Sequence, residues 1–212
     1  MTVVLAVERL SVRRGGRIIL DDLGLEVRAG EIGGLVGPNG CGKSTLLAAI
    51  AGVLAPRDGR ITIDGASVWG ARTERARSRR ALGYVPEGAD PPGFLTAAEL
   101  WNLCAASRHT EPPSQELCDR LGLDELRGLV LERMSLGQRR RACLAAAFLG
   151  PPRLLVLDEP DNGLDAARLE ALITLVTAHA TNGGACIMAS HDAALLERLG
   201  ARVIAMTVRV SA

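Results

Sequence analysis

Apolar residues along the chain change their spacing several times, and the changes divide it into strands and helices. Thr2 to Glu8 alternates with the two-residue rhythm of a half-buried strand; Ile18-Ile19-Leu20, followed by Leu23, Leu25 and Val27, predicts two more before the turn Arg28-Ala29-Gly30. An antiparallel β region therefore leads into a strand-like segment ending at Leu35-Val36. Beyond it, Leu46, Leu47, Ile50 and Leu54 fall at near-helical spacing. Gly59 to Gly65 is a short strand bounded by turn residues, and Ala81 to Pro86 is another, stopped by its proline.

From Gly88 to about Pro152, Pro91-Pro92-Gly93 and Glu111-Pro112-Pro113 punctuate a Leu-, Ala- and Arg-rich region of 3.6-type spacing. This predicts a helical subdomain over 88–152 within one domain over 1–212. Its helix from Leu136 to Leu149 follows Ser135 with Gln138 three residues on, a capping-box pattern that leaves a helix N-terminus receptive to an anion. Arg153 to Leu157 is a continuous apolar run, as expected of a buried parallel strand, and it ends in Asp158-Glu159-Pro160. A helix over Asp165–Ala180, a strand over Ala185–Ala189 ending in Ser190-His191, a helix to Leu199 and a strand near Arg202–Met206 complete the alternation. The expected class is α/β, with a mostly parallel core sheet, an N-terminal antiparallel region and an inserted helical subdomain.

Between the strand at Leu35-Val36 and the next helix stands Gly37-Pro38-Asn39-Gly40-Cys41-Gly42-Lys43-Ser44-Thr45, which satisfies G-x-x-x-x-G-K-[ST] in the context that motif needs. Glycines let the backbone aim successive N–H groups at phosphate oxygens; Lys43 supplies a mobile cation and Ser44 a hydroxyl for Mg²⁺. Composition sharpens this. Lys43 is the only lysine in the chain, every other Lys+Arg position being arginine. A tight glycine cradle accepts a compact ammonium on a flexible stem rather than a planar fork.

The formal net charge of +1 gives no basic surface for nucleic acid, and the arginines at 57, 60, 72, 75, 77, 79 and 80 are interleaved with Asp58, Asp64 and Glu74, as on a solvated face. Five scattered cysteines without a C-x-x-C pair argue against a disulfide frame or zinc site and for a reducing compartment. No apolar run approaches the roughly 20 residues that span a bilayer, so the chain is expected in the cytoplasm, with any membrane part supplied by another chain. Cys41, inside the cradle, is expected to react with thiol reagents unless nucleotide covers it.

The remaining chemistry gathers at strand ends, where open α/β sheets bind ligands. Asp158 is placed to hold Mg²⁺, the adjacent Glu159 to orient or deprotonate a water facing a terminal phosphate, and His191 to hydrogen-bond that phosphate.

On these residues the chain resembles, over almost its whole length, the nucleotide-binding subunits of ABC (ATP-binding cassette) transporters. Gly37–Thr45 is similar to their Walker A loop, Leu154–Glu159 to Walker B, and Met134-Ser135-Leu136-Gly137-Gln138 to the LSGGQ signature. Asp161-Asn162-Gly163-Leu164-Asp165 resembles the D-loop, Ser190-His191 the switch histidine, and Tyr84-Val85-Pro86-Glu87 the Q-loop. The resemblance implies a P-loop NTPase that hydrolyses ATP with Mg²⁺ as a head-to-tail dimer on the cytoplasmic face of the cell membrane, coupled to an integral membrane permease. Glu159 is then the base, with Lys43 and His191 on the γ-phosphate. Ser44, Glu87 and Asp158 hold the metal, Gly37–Thr45 binds the phosphates, and Ser135, Gly137 and Gln138 reach across from the second ATPase subunit, identical or paralogous.

Three positions depart from that pattern: Arg14 stands where an aromatic stacks on adenine, Glu87 replaces the Q-loop glutamine, and Leu136 replaces the first signature glycine. A guanidinium plane can stack on a base. Leu136 implies a looser approach of the second subunit and slower turnover. Arg14, the signature followed by Arg139-Arg140-Arg141, and an end at Ala212 look most like compact exporter ATPases, of drug, peptide or natural-product type or of the haem exporter of cytochrome c maturation; sugar, methionine and similar importer ATPases generally carry further C-terminal sequence. A soluble, non-transport ABC ATPase and a P-loop kinase are the rival classes, the second disfavoured by the signature and Glu159.

Overall fold

The computed structural model describes residues 2–88 and 90–207; Met1, Ala89 and residues 208–212, including the chain end at Ala212, lie outside the described residues. Two sheets carry the fold. A parallel sheet of five strands has the order β6-β7-β8-β3-β9, formed by β3 (Ile32–Val36), β6 (Leu82–Val85), β7 (Leu154–Asp158), β8 (Ala185–Ala189) and β9 (Arg202–Ala205). An antiparallel sheet in the order β2-β1-β4-β5 is formed by β1 (Val3–Arg14), β2 (Arg17–Arg28), β4 (Asp58–Ile63) and β5 (Ala66–Ser67).

β7 and β8 are buried on both faces, which is why they read as unbroken apolar runs. Their side chains still alternate. Leu154, Val156, Ala185 and Ile187 join one apolar cluster with the antiparallel sheet and α1 (Lys43–Ile50); Leu155, Leu157, Cys186 and Met188 join a second with the helices on the opposite face. Helix α1 is thereby held between the sheets, with Leu46, Leu47 and Ile50 fully buried, and its N-terminus is fixed at the carboxyl edge of β3.

The first strands are longer than the alternation predicts. β1 and β2, twelve residues each, form one hairpin closed at Gly15-Gly16, where three short strands were expected. Its register shifts between Val7 and Leu10 and again between Leu10 and Val12, and Arg9 and Asp22 have φ of 46° and 50°. Each irregularity breaks the period-two pattern without ending the strand, so sequence periodicity divides what the backbone keeps whole.

The arginine-rich stretch forms a helix, α2 (Arg72–Arg80), that periodicity did not reveal, because it has almost no buried face. Its arginines are exposed, and Glu74 turns back to accept the Ala71 N–H at 3.1 Å. Between β6 and β7 the chain is helical: α3 (Ala97–Arg108), α4 (Gln115–Leu121), two short 3₁₀ turns and α5 (Leu136–Phe148). Arg108 ties this region to the sheet, donating to the carbonyls of Ala146, Ala147, Leu149 and Leu82. α6 (Ala166–Thr181) and α7 (Ala193–Arg198) follow β7 and β8. Among the described residues, no helix is long and apolar enough to cross a membrane.

Candidate functional site

The loop after β3 wraps the N-terminus of α1. The helix is preceded by Gly42 at φ 103°, and no side chain caps it, so its first N–H groups stay available at the loop's mouth. Glycine is required at Gly42 twice over: φ lies in the left-handed region, and a Cβ there would come within 2.8 Å of Leu20 Cδ2. Lys43 is 8% exposed and curls over the loop, its Nζ donating to Gly37 O at 2.8 Å. An uncapped helix end with an ammonium inside its glycine turn is an anion cradle of phosphate dimensions.

A cleft of about 480 Å³ opens over this cradle. Asn39, Gly40, Gly42, Lys43, Ser44 and Thr45 of the loop line it, together with Glu87, Glu159 and His191 and with Arg14 and Ile19 of the β1–β2 hairpin. Residues from five separate stretches thus converge. Arg14 sits at the β1–β2 turn, where the hairpin carries its guanidinium to the cleft wall. Gly37 and Pro38 contribute carbonyls to Lys43 rather than lining to the cleft.

Asp158 ends β7 directly behind Ser44. It is 2% exposed, accepts a hydrogen bond from the Ser44 hydroxyl, and has one oxygen, Oδ1, buried without a partner. Burial raises its carboxyl from the ordinary 3.8 to about 6; the Ser44 hydrogen bond opposes this, and the charges of Glu87 and Glu159 reinforce it. An orphaned carboxylate oxygen beside a hydroxyl, next to a phosphate cradle, fits a small hard cation such as Mg²⁺. Among the described residues no three His, Cys, Asp or Glu side chains cluster as a metal cage.

Glu159 leaves the strand with φ 49°, a strained conformation for a side chain with a Cβ, and is 5% exposed. Its N–H donates to Ala189 O at 2.9 Å. Its carboxylate accepts the His191 N–H at 3.2 Å and lies 3.3 Å from His191 Nε2. Ser190, beside His191, donates to Asp161 Oδ1 at 2.9 Å and so joins the strand end to the turn before α6.

Ser135, Gly137 and Gln138 are elsewhere. The capping box forms as expected, with Ser135 Oγ accepting the Gln138 N–H at 3.2 Å and Gln138 Oε1 accepting the Ser135 N–H at 2.9 Å. These residues do not line the cleft; Gly137 packs instead on the turn before α6, where a Cβ would collide with the Gly163 carbonyl, and Ser135 is exposed. Leu136 remains 48% exposed at the helix tip.

Cys41 corrects an expectation. Its thiol is 3% exposed and faces the apolar space behind the loop, near Leu46 and Met206, and its N–H closes the turn on Pro38 O. The loop's backbone tightens through this residue, but the sulfur is not in the cradle. Sequence reading also missed Arg140. That guanidinium is 1% exposed and donates to the carbonyls of Pro86, Glu87 and Asp158. No spacing signal set it apart: the positions three and four residues beyond Arg139, Arg140 and Arg141, namely Ala142, Cys143, Leu144 and Ala145, are all apolar and all buried.

Comparison with known proteins agrees with this geometry. A family model described as ABC transporter matches residues 20–162. The chain is 36% identical over 212 residues to the cobalt import ATP-binding protein CbiO of Rhodobacter capsulatus, covering 96% of this chain and 75% of that protein. It is 37% identical over 188 residues to the cytochrome c biogenesis ATP-binding export protein CcmA of Gluconobacter oxydans, covering 89% and 81%. Among solved structures, an ATP-binding subunit of an ABC transporter superposes with a TM-score of 0.87 at 27% identity, over 98% of this chain and 88% of that one. With the phosphate loop, the strand-end carboxylates and the capped signature helix on one scaffold, the chain belongs to the ABC transporter family, as one of its ATP-binding, ATP-hydrolysing subunits.

Proposed function

We propose that this subunit works as half of a head-to-tail pair, closing on ATP, opening after hydrolysis and passing that motion to an integral membrane permease on the cytoplasmic face of the membrane. One observation carries the reading. The cleft holds the loop, Glu159 and His191, while Ser135, Gly137 and Gln138 project from a separate tip of the same chain, so a second subunit is needed to bring them to a phosphate. The helical segment 88–152 acts as the arm that presents that tip.

In this mechanism the cradle N–H groups and Lys43 hold the β- and γ-phosphates, and the Arg14 guanidinium lies flat on adenine. Bound Mg²⁺ supplies charge neutralisation at phosphate oxygens, held by Ser44, Asp158 and Glu87. Glu159 accepts a proton from the attacking water as that oxygen bonds to the γ-phosphorus, and the bond to the ADP oxygen breaks. His191 donates a hydrogen bond to the γ-phosphate and steadies Glu159. Magnesium chemistry aside, the protein's share is positioning and preorganised charge.

The similar proteins include one named for cobalt import and one for cytochrome c biogenesis export, so likeness does not fix the direction of transport. Export is the reading favoured by Arg14 and by the Ser-Leu-Gly-Gln signature followed by three arginines. Glu159→Gln in Mg·ATP, followed by light scattering after gel filtration, tests the pair: a species of twice the monomer mass with bound ATP is expected. A monomer that hydrolyses ATP at the wild-type rate overturns both the dimer and the assigned base.

A further inference from the structure

Arg140 is the largest charged side chain in the interior, 1% exposed, and among the described residues no carboxylate lies within ion-pair distance of it. A buried guanidinium ordinarily needs a counter-ion or a full set of acceptors to offset its lost hydration. Here the acceptors are three main-chain carbonyls: Pro86 O at 2.9 Å, Glu87 O at 2.6 Å and Asp158 O at 3.3 Å; Nε has no partner. Its hydrogen bonds go wholly to backbone, with the Asp158, Asp161 and Glu87 carboxylates attracting it only from beyond contact, and that pattern points to a positional task.

Each of those carbonyls belongs to a peptide that aims a group at the cleft. Pro86 and Glu87 form the turn that places the Glu87 side chain on the cleft wall. The Asp158 carbonyl belongs to the peptide linking Asp158 to Glu159. Its N–H, on Glu159, is held by Ala189 O at 2.9 Å, so the peptide is clamped at both ends, immediately before a residue at φ 49°. Rotating that peptide would relieve the strain and swing the Glu159 carboxylate away from His191. Arg140 itself sits one turn inside α5, five residues from the Ser135 cap, on a rigid helix. One planar fork therefore connects the tip that meets a second subunit to the two turns that carry Glu87 and Glu159.

We propose that Arg140 is a positioning residue for ATP turnover, holding the Asp158–Glu159 peptide and the Glu87 turn in register with the signature helix so that Glu159 is correctly aimed only when that helix is in place. The proposal rests on the cleft being the ATP site. It predicts a specific kinetic pattern, because binding depends on the cradle and turnover on the aim of Glu159.

The test compares the wild-type full chain with Arg140→Gln and Arg140→Lys, measuring Tm, binding of a fluorescent ATP analogue, and kcat and KM for Mg·ATP. For Arg140→Gln the expectation is a kcat lower by about 10- to 100-fold, as for other groups that orient a first ligand shell, with KM within about threefold. Tm should stay within a few degrees. An unchanged kcat overturns the proposal, and so does a joint fall of kcat, analogue binding and Tm, which would mark Arg140 as packing alone. If Arg140→Gln does not fold, Arg140→Lys is judged by the same criteria, since it keeps the cation and removes the fork. Failure of the wild-type chain to bind the analogue would instead overturn the reading of the cleft.

Discussion

The Glu159 carboxylate is bound to His191 at two points: Oε2 accepts the His191 N–H at 3.2 Å, and Oε1 lies 3.3 Å from the ring Nε2. The first bond is fixed by the backbone; the second swings with an imidazole that is 60% exposed. Main-chain geometry thus holds the Glu159 carboxylate even when the ring turns outward.

His191→Ala should therefore spare the orientation of Glu159 while removing the hydrogen bond proposed from the His191 ring to the γ-phosphate. We expect kcat to fall by about 10²- to 10³-fold, as for loss of one preorganised donor, with nucleotide affinity nearly unchanged. Steady-state kinetics with equilibrium ATP binding checks this, and retention of wild-type kcat contradicts the role.

Asp158 holds a charge in a place that disfavours it. Its folded value of about 6 lies above the unfolded 3.8, so between those values the folded chain binds the extra proton and stability falls as pH rises through the window. Above about pH 6 the charged carboxylate is a standing cost, which Asn removes. Asp158→Asn should raise the Tm of the nucleotide-free chain above pH 6, by an amount corresponding to about 3 kcal/mol, and the gain should shrink toward pH 4. ATPase activity should be lost in the same variant. A lower Tm at pH 8 would contradict the account of Asp158 as a site that exchanges stability for metal binding.

Cys41 should be slow to react with a thiol reagent in the native chain, with or without Mg·ATP, since its sulfur is packed behind the loop. Unfolding in guanidinium should expose it. Rapid native labelling that ATP prevents would place the thiol in the cradle instead.

Much of the site was written in the order of residues. The phosphate loop, its solitary lysine, the Asp158-Glu159 strand end and the Ser135–Gln138 capping box are local patterns, each needing only a strand end or a helix start to acquire meaning. Their sheet was legible for the same reason: strands buried on both faces must be continuous apolar runs. Tertiary structure decided what locality cannot. The β1–β2 hairpin stays whole through its register shifts because β1 is paired on both sides, to β2 and β4, whereas periodicity senses only the interruptions. Arg14 reaches the cleft because that hairpin folds over the loop. Cys41 turns away from the cradle into the apolar space that Leu20, Leu46 and Met206 line behind the loop. Arg140, one of three consecutive arginines, gains its role only when α5 lays it across carbonyls 54, 53 and 18 residues away in sequence. A side chain's charge can be read from a sequence, but its acceptors are chosen by packing.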